Sequence, residues 1–283
     1  KMSVLRELGK TGVKIPTIGL GCMGMSEFYG SSDEEANLKV LNRSIDIKCT
    51  FWDTADMYGS GKNEILLSKV LKDRRNEVFL CTKFGNVRGE NGEFLGVNGT
   101  PEYVHEACEK SLQRLGVDCI DLYYQHRVDK NVPWSLDIET NGLKEACEEL
   151  GVTIVAYSPL GRGILSGKYK STEDFEPGDF RKVLPRYAGE NFAKNLELVK
   201  EFEKLAKKKG VTSSQLCLAW VLAQGKNIVV IPGTKKIKYL EENSQAVNIN
   251  LTSEELAEIR KIINSIEIVG GRYDEHTLKV IYF

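Results

Sequence analysis

The sequence predicts an α/β fold, a parallel sheet covered by helices, built either as a closed (β/α)8 barrel or as an open doubly wound sheet. Three observations carry that expectation. Short apolar runs recur at residues 17–21, 49–53, 78–83, 120–125, 153–157 and 227–231, without the strict alternation of half-exposed strands. Amphipathic helical stretches with their own start signals separate them. The length, 283 residues, suits one large α/β domain, and residues 1–283 are read as a single one.

The elements follow in order. Residues 4–8 and 13–16 flank Gly9-Lys10-Thr11-Gly12 and predict a hairpin ahead of the sheet. Ser32-x-x-Glu35 has the form of a capping box before Leu38, Leu41 and Ile45. Thr100-Pro101 pairs an N-cap with proline at the first helical position, and Val104, Cys108, Leu112 and Leu115 then share a face. Thr212-x-x-Gln215 and Thr252-x-x-Glu255 open later helices in the same way, and residues 138–150 form another.

Six main strands are counted, where a closed barrel has eight. The fourth ends near His126, and a helix soon leads into the run at 153–157. At roughly 30 residues per strand–helix unit, the shortfall is about two units. The expectation is a segment omitted near residues 132–134.

Composition excludes several functions. Lys and Arg total 39, Asp and Glu total 40, so the net charge of −1 exerts no long-range pull on nucleic acid or an anionic membrane. Seven scattered cysteines form no Cys-x-x-Cys pair and read as buried reduced thiols. No apolar run is long enough to span a membrane, and residues 1–6 lack the apolar core of a signal peptide, which places the protein in the cytoplasm. His105 falls within a helix and His276 in a polar tail, neither with metal-ligand company, so no metal is expected.

The chemistry-bearing residues fall at strand ends. Asp53 closes the second strand, Lys83 the third and His126 the fourth, and Tyr58 follows Asp53 by five residues. In β/α barrels the carboxyl ends of the strands carry the active site. A lone lysine or tyrosine there is usually solvated or packed; four titratable groups at one rim point to proton transfer. An ammonium beside a phenol favours the phenolate and lowers the tyrosine pKa; Lys83 is expected to do this to Tyr58. Asp53 would hold Lys83 charged, and His126 would polarise a carbonyl. A Schiff-base aldolase with Lys83 as nucleophile is the rival chemistry.

Phe51-Trp52-Asp53-Thr54-Ala55-Asp56-Met57-Tyr58-Gly59, Thr82-Lys83-Phe84-Gly85 and Leu122-Tyr123-Tyr124-Gln125-His126-Arg127 resemble the signatures of the aldo-keto reductase superfamily. The resemblance runs through most of the chain. It is nearest to a fungal, bacterial and plant branch related to perakine reductase and to potassium-channel β-subunits. It implies a (β/α)8 TIM barrel. It further implies a tetrad of Asp53, Tyr58, Lys83 and His126, with Tyr58 as general acid, in an NADPH-dependent reductase of aldehydes or ketones. The alternative it carries is a nucleotide-binding regulatory module with little turnover.

The resemblance also implies a cofactor site. Ser158, Leu160, Gly161, Arg162 and Gly163 resemble the loop over the dinucleotide pyrophosphate, although a glycine-rich stretch alone is also a plain turn. Gly233, Thr234, Lys235 and Lys236 precede a helix and resemble the grip on the adenosine 2′-phosphate. Glu242 and Asn243 match positions near the adenine, which favours NADP(H). The Ser-Asn-like pair and Gln that hold the nicotinamide carboxamide in the family have no counterpart here. Phe28, Tyr29 and Trp134 are candidate substrate-wall aromatics.

Overall fold

The computed structural model describes residues 4–89, 91–127 and 143–273. The chain begins with the antiparallel hairpin of β1 (Leu5–Glu7) and β2 (Lys14–Pro16), within a residue or two of its expected place. Arg6 reaches from the hairpin to the carbonyls of Leu222, Gly225 and Ile228, so the hairpin closes the amino end of the sheet.

Next come β3 (Leu20–Gly21), helix α1 (Glu34–Asp46), β4 (Phe51–Asp53), α2 (Lys62–Arg74) and β5 (Phe79–Phe84). An antiparallel ribbon, β6 (Asn86–Arg88) with β7 (Phe94–Val97), interrupts the alternation; nothing in the sequence pattern had suggested it. The chain continues through α3 (Pro101–Leu115), β8 (Leu122–Gln125), α4 (Leu143–Leu150), β9 (Ile154–Tyr157), α5 (Gly189–Lys209), α6 (Ser213–Ala223), β10 (Ile228–Ile231), α7 (Ile237–Gln245) and α8 (Ser253–Ser265).

Every neighbouring pair in the main sheet is parallel. β3, β4, β5 and β8 are joined in that order, β9 pairs with β10, and single bridges at Ile18–Val230 and Gly21–Gly233 tie β10 to the β3 stretch. From edge to edge the order is β9, β10, β3, β4, β5, β8. Six parallel strands therefore form one arc among the described residues. Its two free edges, β8 and β9, flank the stretch of chain that holds residues 128–142.

The side chains explain which way each strand faces. Trp52 and Leu80 point outward into a core with Leu41, Ile45, Leu67 and Leu71 of α1 and α2. Phe51 and Cys81 point inward with Ile15, Val229 and Ile231. Burying each such Leu or Ile is worth about 1.5–3 kcal/mol, so a one-residue slip that exchanged the faces would be severely unfavourable. The inward parity that places Phe51 also places Asp53, and that of Cys81 places Lys83.

Local signals act as expected at three helices. Thr100 caps α3, and Thr212 and Thr252 form complete capping boxes with Gln215 and Glu255. Ser32 does not cap α1. Its hydroxyl bonds the Met25 carbonyl, and Asp33 caps the helix through Ala36 N. On α3 the deepest stripe is Ala107, Ser111 and Leu115, one position round from part of the expected face. Among the described residues no helix is long and apolar enough to cross a membrane.

Candidate active site

Asp53, Tyr58, Lys83 and His126 meet at the carboxyl end of the arc. Asp53 ends β4, Lys83 lies near the end of β5 and His126 directly follows β8. Tyr58 belongs to the loop after β4, and that loop is held firmly. Thr54 N and Asp56 N continue the pairing with Cys81 and Lys83 carbonyls beyond the strand end. The Thr54 hydroxyl donates to Asn63, whose amide donates to the Cys22 carbonyl and Ser26 hydroxyl.

The Lys83 ammonium is the hub. Nζ donates to Asp53 Oδ1 at 2.6 Å, the Thr54 carbonyl at 2.8 Å and Tyr58 Oη at 3.2 Å. It lies 4.9 Å from the centre of the Tyr58 ring. The Tyr58 and His126 rings meet edge to face, with centroids 5.4 Å apart. Asp53, Tyr58 and Lys83 are only 3–6% exposed. All four expected residues therefore share one small volume.

Burial sets the electrostatics. Burial is the largest single influence and pushes the Lys83 pKa down, but the Asp53 carboxylate and the Tyr58 oxygen together outweigh it and raise the pKa overall, so Lys83 is an ammonium. A Schiff-base nucleophile needs the free amine, which this pairing opposes. Tyr58 corrects the expectation of a lowered pKa. Lys83 acts in that direction, but burial is the larger effect and leaves the phenol raised. Burial, then the Lys83 and Arg127 charges, hold His126 well below its ordinary pKa, so its ring is neutral at physiological pH. His126 Nδ1 is buried and has no hydrogen-bond partner among the described residues.

Asp56 is a buried acid beside this group. Burial, reinforced by Glu64, lifts its pKa to about 7, and its Oδ1 has no partner among the described residues.

Of the residues expected to hold a dinucleotide, those in the loops after β9 and β10 lie on the same rim, whereas Glu242 and Asn243 lie further along α7. The loop after β9 turns through the left-handed region at Ser158 and then at Gly161, Arg162 and Gly163 in succession. Gly161 N and Gly163 N already donate to the Ser158 and Leu160 carbonyls. Leu160 packs into the cores below. Arg162 donates to the Arg272 carbonyl and lies 4.5 Å from the Tyr273 ring. Gly233 follows β10 at its bridge to Gly21, and Thr234 bonds Lys236 N ahead of α7. Lys235 is engaged elsewhere: its ammonium donates to the Tyr29 and Ser31 carbonyls at 2.7 and 2.6 Å. Lys236 is exposed. Glu242 accepts from the Thr212 hydroxyl, and Asn243 is buried in α7.

Phe28 sits edge-on to Phe180 at 5.6 Å, with Arg88 over its other side. Tyr29 packs 5.1 Å from the Arg181 guanidinium, and burial pushes its pKa up to about 12. Trp134 and His276 lie outside the described residues. His105 is exposed on α3. Among the described residues no cluster of His, Cys, Asp or Glu is placed to hold a metal.

Sequence reasoning missed two neighbours. The Tyr124 hydroxyl donates to Asp53 Oδ2, and Arg127 donates to the Tyr273 hydroxyl at 2.7 Å. Tyr124 was discernible, since it lies two residues before His126 and so shares its side of β8.

The Aldo/keto reductase family model matches residues 17–140 and 134–264. The chain belongs to the aldo/keto reductase family. The aldo-keto reductase yakc [NADP(+)] of Schizosaccharomyces pombe is 44% identical over 312 residues, covering 92% of each chain. The aldo-keto reductase str7 of Strobilurus tenacellus is 43% identical over 326 residues, covering 94% of each. Among solved structures, a thermostable aldo-keto reductase bound to epalrestat is 26% identical (TM-score 0.69, 92% of this chain and 99% of that one). The glycerol dehydrogenase of Gluconobacter oxydans is 23% identical with a TM-score of 0.79, covering 96% and 98%. The fold is the (β/α)8 TIM barrel of the aldo/keto reductases, and the open doubly wound alternative is set aside. Both curated alignments are longer than the 283-residue chain, so parts of those relatives face no residue here.

Proposed function

We propose that this aldo/keto reductase converts an aldehyde or ketone to the alcohol using NADPH, with Tyr58 as proton donor. The observation that carries the reading is the Lys83 ammonium bonded to both Asp53 and Tyr58 in one buried volume. When bound, NADPH supplies the hydride. Tyr58 gives its phenolic proton to the carbonyl oxygen as negative charge develops there. Lys83, donating to the same phenol oxygen, stabilises the phenolate left behind, and Asp53 keeps Lys83 charged and aimed. Neutral His126 donates an N–H to the carbonyl oxygen, adding electrostatic stabilisation without a competing proton.

The residues fit the cofactor. Gly161, Arg162 and Gly163 turn the backbone through three successive left-handed residues just after Ser158 and Leu160; a pyrophosphate there would compete with the carbonyls that the Gly161 and Gly163 amides now bond. Thr234 and the exposed Lys236 at the start of α7, with Gly233 and Lys235 behind them, would take the 2′-phosphate. Glu242 and Asn243 would flank the adenine, and Phe28 and Tyr29 would wall the substrate.

Consumption of NADPH by the purified protein with a simple aromatic aldehyde tests this reading. Turnover is the expected result. Tight NADPH binding with no turnover would instead favour a nucleotide-binding regulatory module. We further propose that the 283-residue sequence omits about two strand–helix units near residues 132–134, in the stretch of sequence between β8 and β9. Protein isolated from its native source should then have an intact mass well above 31.7 kDa; that mass itself would defeat the idea.

A further inference from the structure

Tyr124 is not among the four residues that define the site, yet it touches their foundation. Its position in β8 pairs with Lys83 in β5, which turns its ring inward beneath the rim. Its hydroxyl donates to Asp53 Oδ2, while Lys83 takes Oδ1 at 2.6 Å. The Tyr124 ring lies 5.4 Å from Lys83 Nζ. Among the described residues no other donor reaches the Asp53 carboxylate.

We infer that Tyr124 is a positioning residue of the reductase reaction: by fixing the rotation of the Asp53 carboxylate, it holds Lys83 against Tyr58. The inference rests on the proton-donor role proposed for Tyr58.

The physical case has two parts. The terminal torsion of an aspartate is broad, so one hydrogen bond leaves the carboxylate plane free to swing. A second donor on the opposite oxygen fixes that plane and satisfies a buried acceptor that would otherwise be stranded. The phenol also shares the negative charge of Asp53, so less of the Lys83 ammonium is neutralised and more of its field reaches Tyr58. Lys83, Asp53, His126, Arg127, Tyr29 and Tyr124 face Tyr58. Asp53 is faced by Lys83, Tyr124 and the thiols of Cys22 and Cys81, which burial keeps protonated.

The experiment titrates Tyr58 in the free protein by tyrosinate absorbance. In each background, the curve of the Tyr58→Phe version is subtracted. Tyr124→Phe should move the Tyr58 ionisation to higher pH by at least about half a unit, because Asp53 then opposes the phenolate more strongly. In turnover, kcat should fall on the order of ten-fold, with KM for NADPH within about two-fold. In an Asp53→Asn background, Tyr124→Phe should produce no further shift. An unmoved Tyr58 titration in folded Tyr124→Phe protein overturns the inference, and so does a shift that persists undiminished in the Asp53→Asn background. The titration needs no turnover, so a protein that binds NADPH without reducing anything would sink the reductase reading while this test still returned its own answer.

Discussion

The two ends of the strand arc treat charge differently. Around β4, β5 and β8, Lys83 is answered by Asp53, and Arg114 by the fully buried Glu64. Around β9 and the segment that reaches Tyr273, Arg127, Arg162, Arg186 and Arg272 converge on tyrosine rings and backbone carbonyls, and none takes part in an ion pair among the described residues. The first region pairs its buried lysine and its buried glutamate, and Arg127, which follows β8 and is unpaired among the described residues, reaches it from the second. The second carries surplus positive charge in a partly buried place, which is costly unless an anion shares it. Proton-transfer machinery can be preorganised before anything binds, whereas a site for a polyanionic ligand is neutralised only by that ligand.

The sharpest way to break this comparison is Tyr58→Phe. It should lower kcat about 100- to 10,000-fold, the range of a lost general acid, while NADPH affinity measured by fluorescence stays nearly unchanged. Parallel loss of both would mean that the two regions are not separable.

Asp56 is the exception within the balanced region, and it yields the next largest effect. Its folded pKa, about 7, lies above the ~3.9 of an unfolded aspartate. A carboxyl raised in this way favours the fold below the unfolded value, and that contribution is lost as pH rises through about 7. Asp56→Asn should therefore stabilise the protein above pH 7 by roughly 2–4 kcal/mol, at about 1.4 kcal/mol per pKa unit, and leave it unchanged near pH 4. Thermal unfolding at both pH values checks this; equal stabilities throughout would show that Asp56 ionises normally.

The smallest effect lies in the charge-surplus region. Lys236→Ala should weaken NADPH binding several-fold, about 1 kcal/mol, and NADH binding much less. Lys235→Ala should act less selectively, because its ammonium also ties down the carbonyls of Tyr29 and Ser31. Identical losses for both nucleotides in Lys236→Ala would remove it from the 2′-phosphate site.

Legibility followed the range of the interactions. Thr100-Pro101 and the boxes at Thr212 and Thr252 were readable because each partner lies within three residues. The meeting of Asp53, Tyr58, Lys83 and His126 was readable because parallel strands deliver their ends to one rim. Ser32 misled because a carbonyl seven residues back, at Met25, won its hydroxyl. The commitment of Lys235 to a loop some 200 positions away left no local trace. The β6–β7 ribbon escaped because it is short and its larger apolar residues, Phe94 and Leu95, are exposed rather than packed. The direction of the Tyr58 shift was misjudged because the sequence names the neighbouring ammonium but does not measure the depth of burial.

The bridge between Gly21 and Gly233 has a consequence for inheritance. A methyl group on Gly21 would come within 2.8 Å of the Ile231 carbonyl oxygen, and one on Gly233 within 3.1 Å of the Gly21 carbonyl oxygen. Only hydrogen fits comfortably at this seam, and it is where β10, with the loop proposed to take phosphate, meets the strands that lead to the proposed acid. A substitution there would leave every side chain of the proposed acid and cofactor sites intact, yet prise apart the two distances that must agree if hydride and proton are to arrive on the same carbonyl. Lineages that keep both activities in step are therefore expected to keep this unreactive pair.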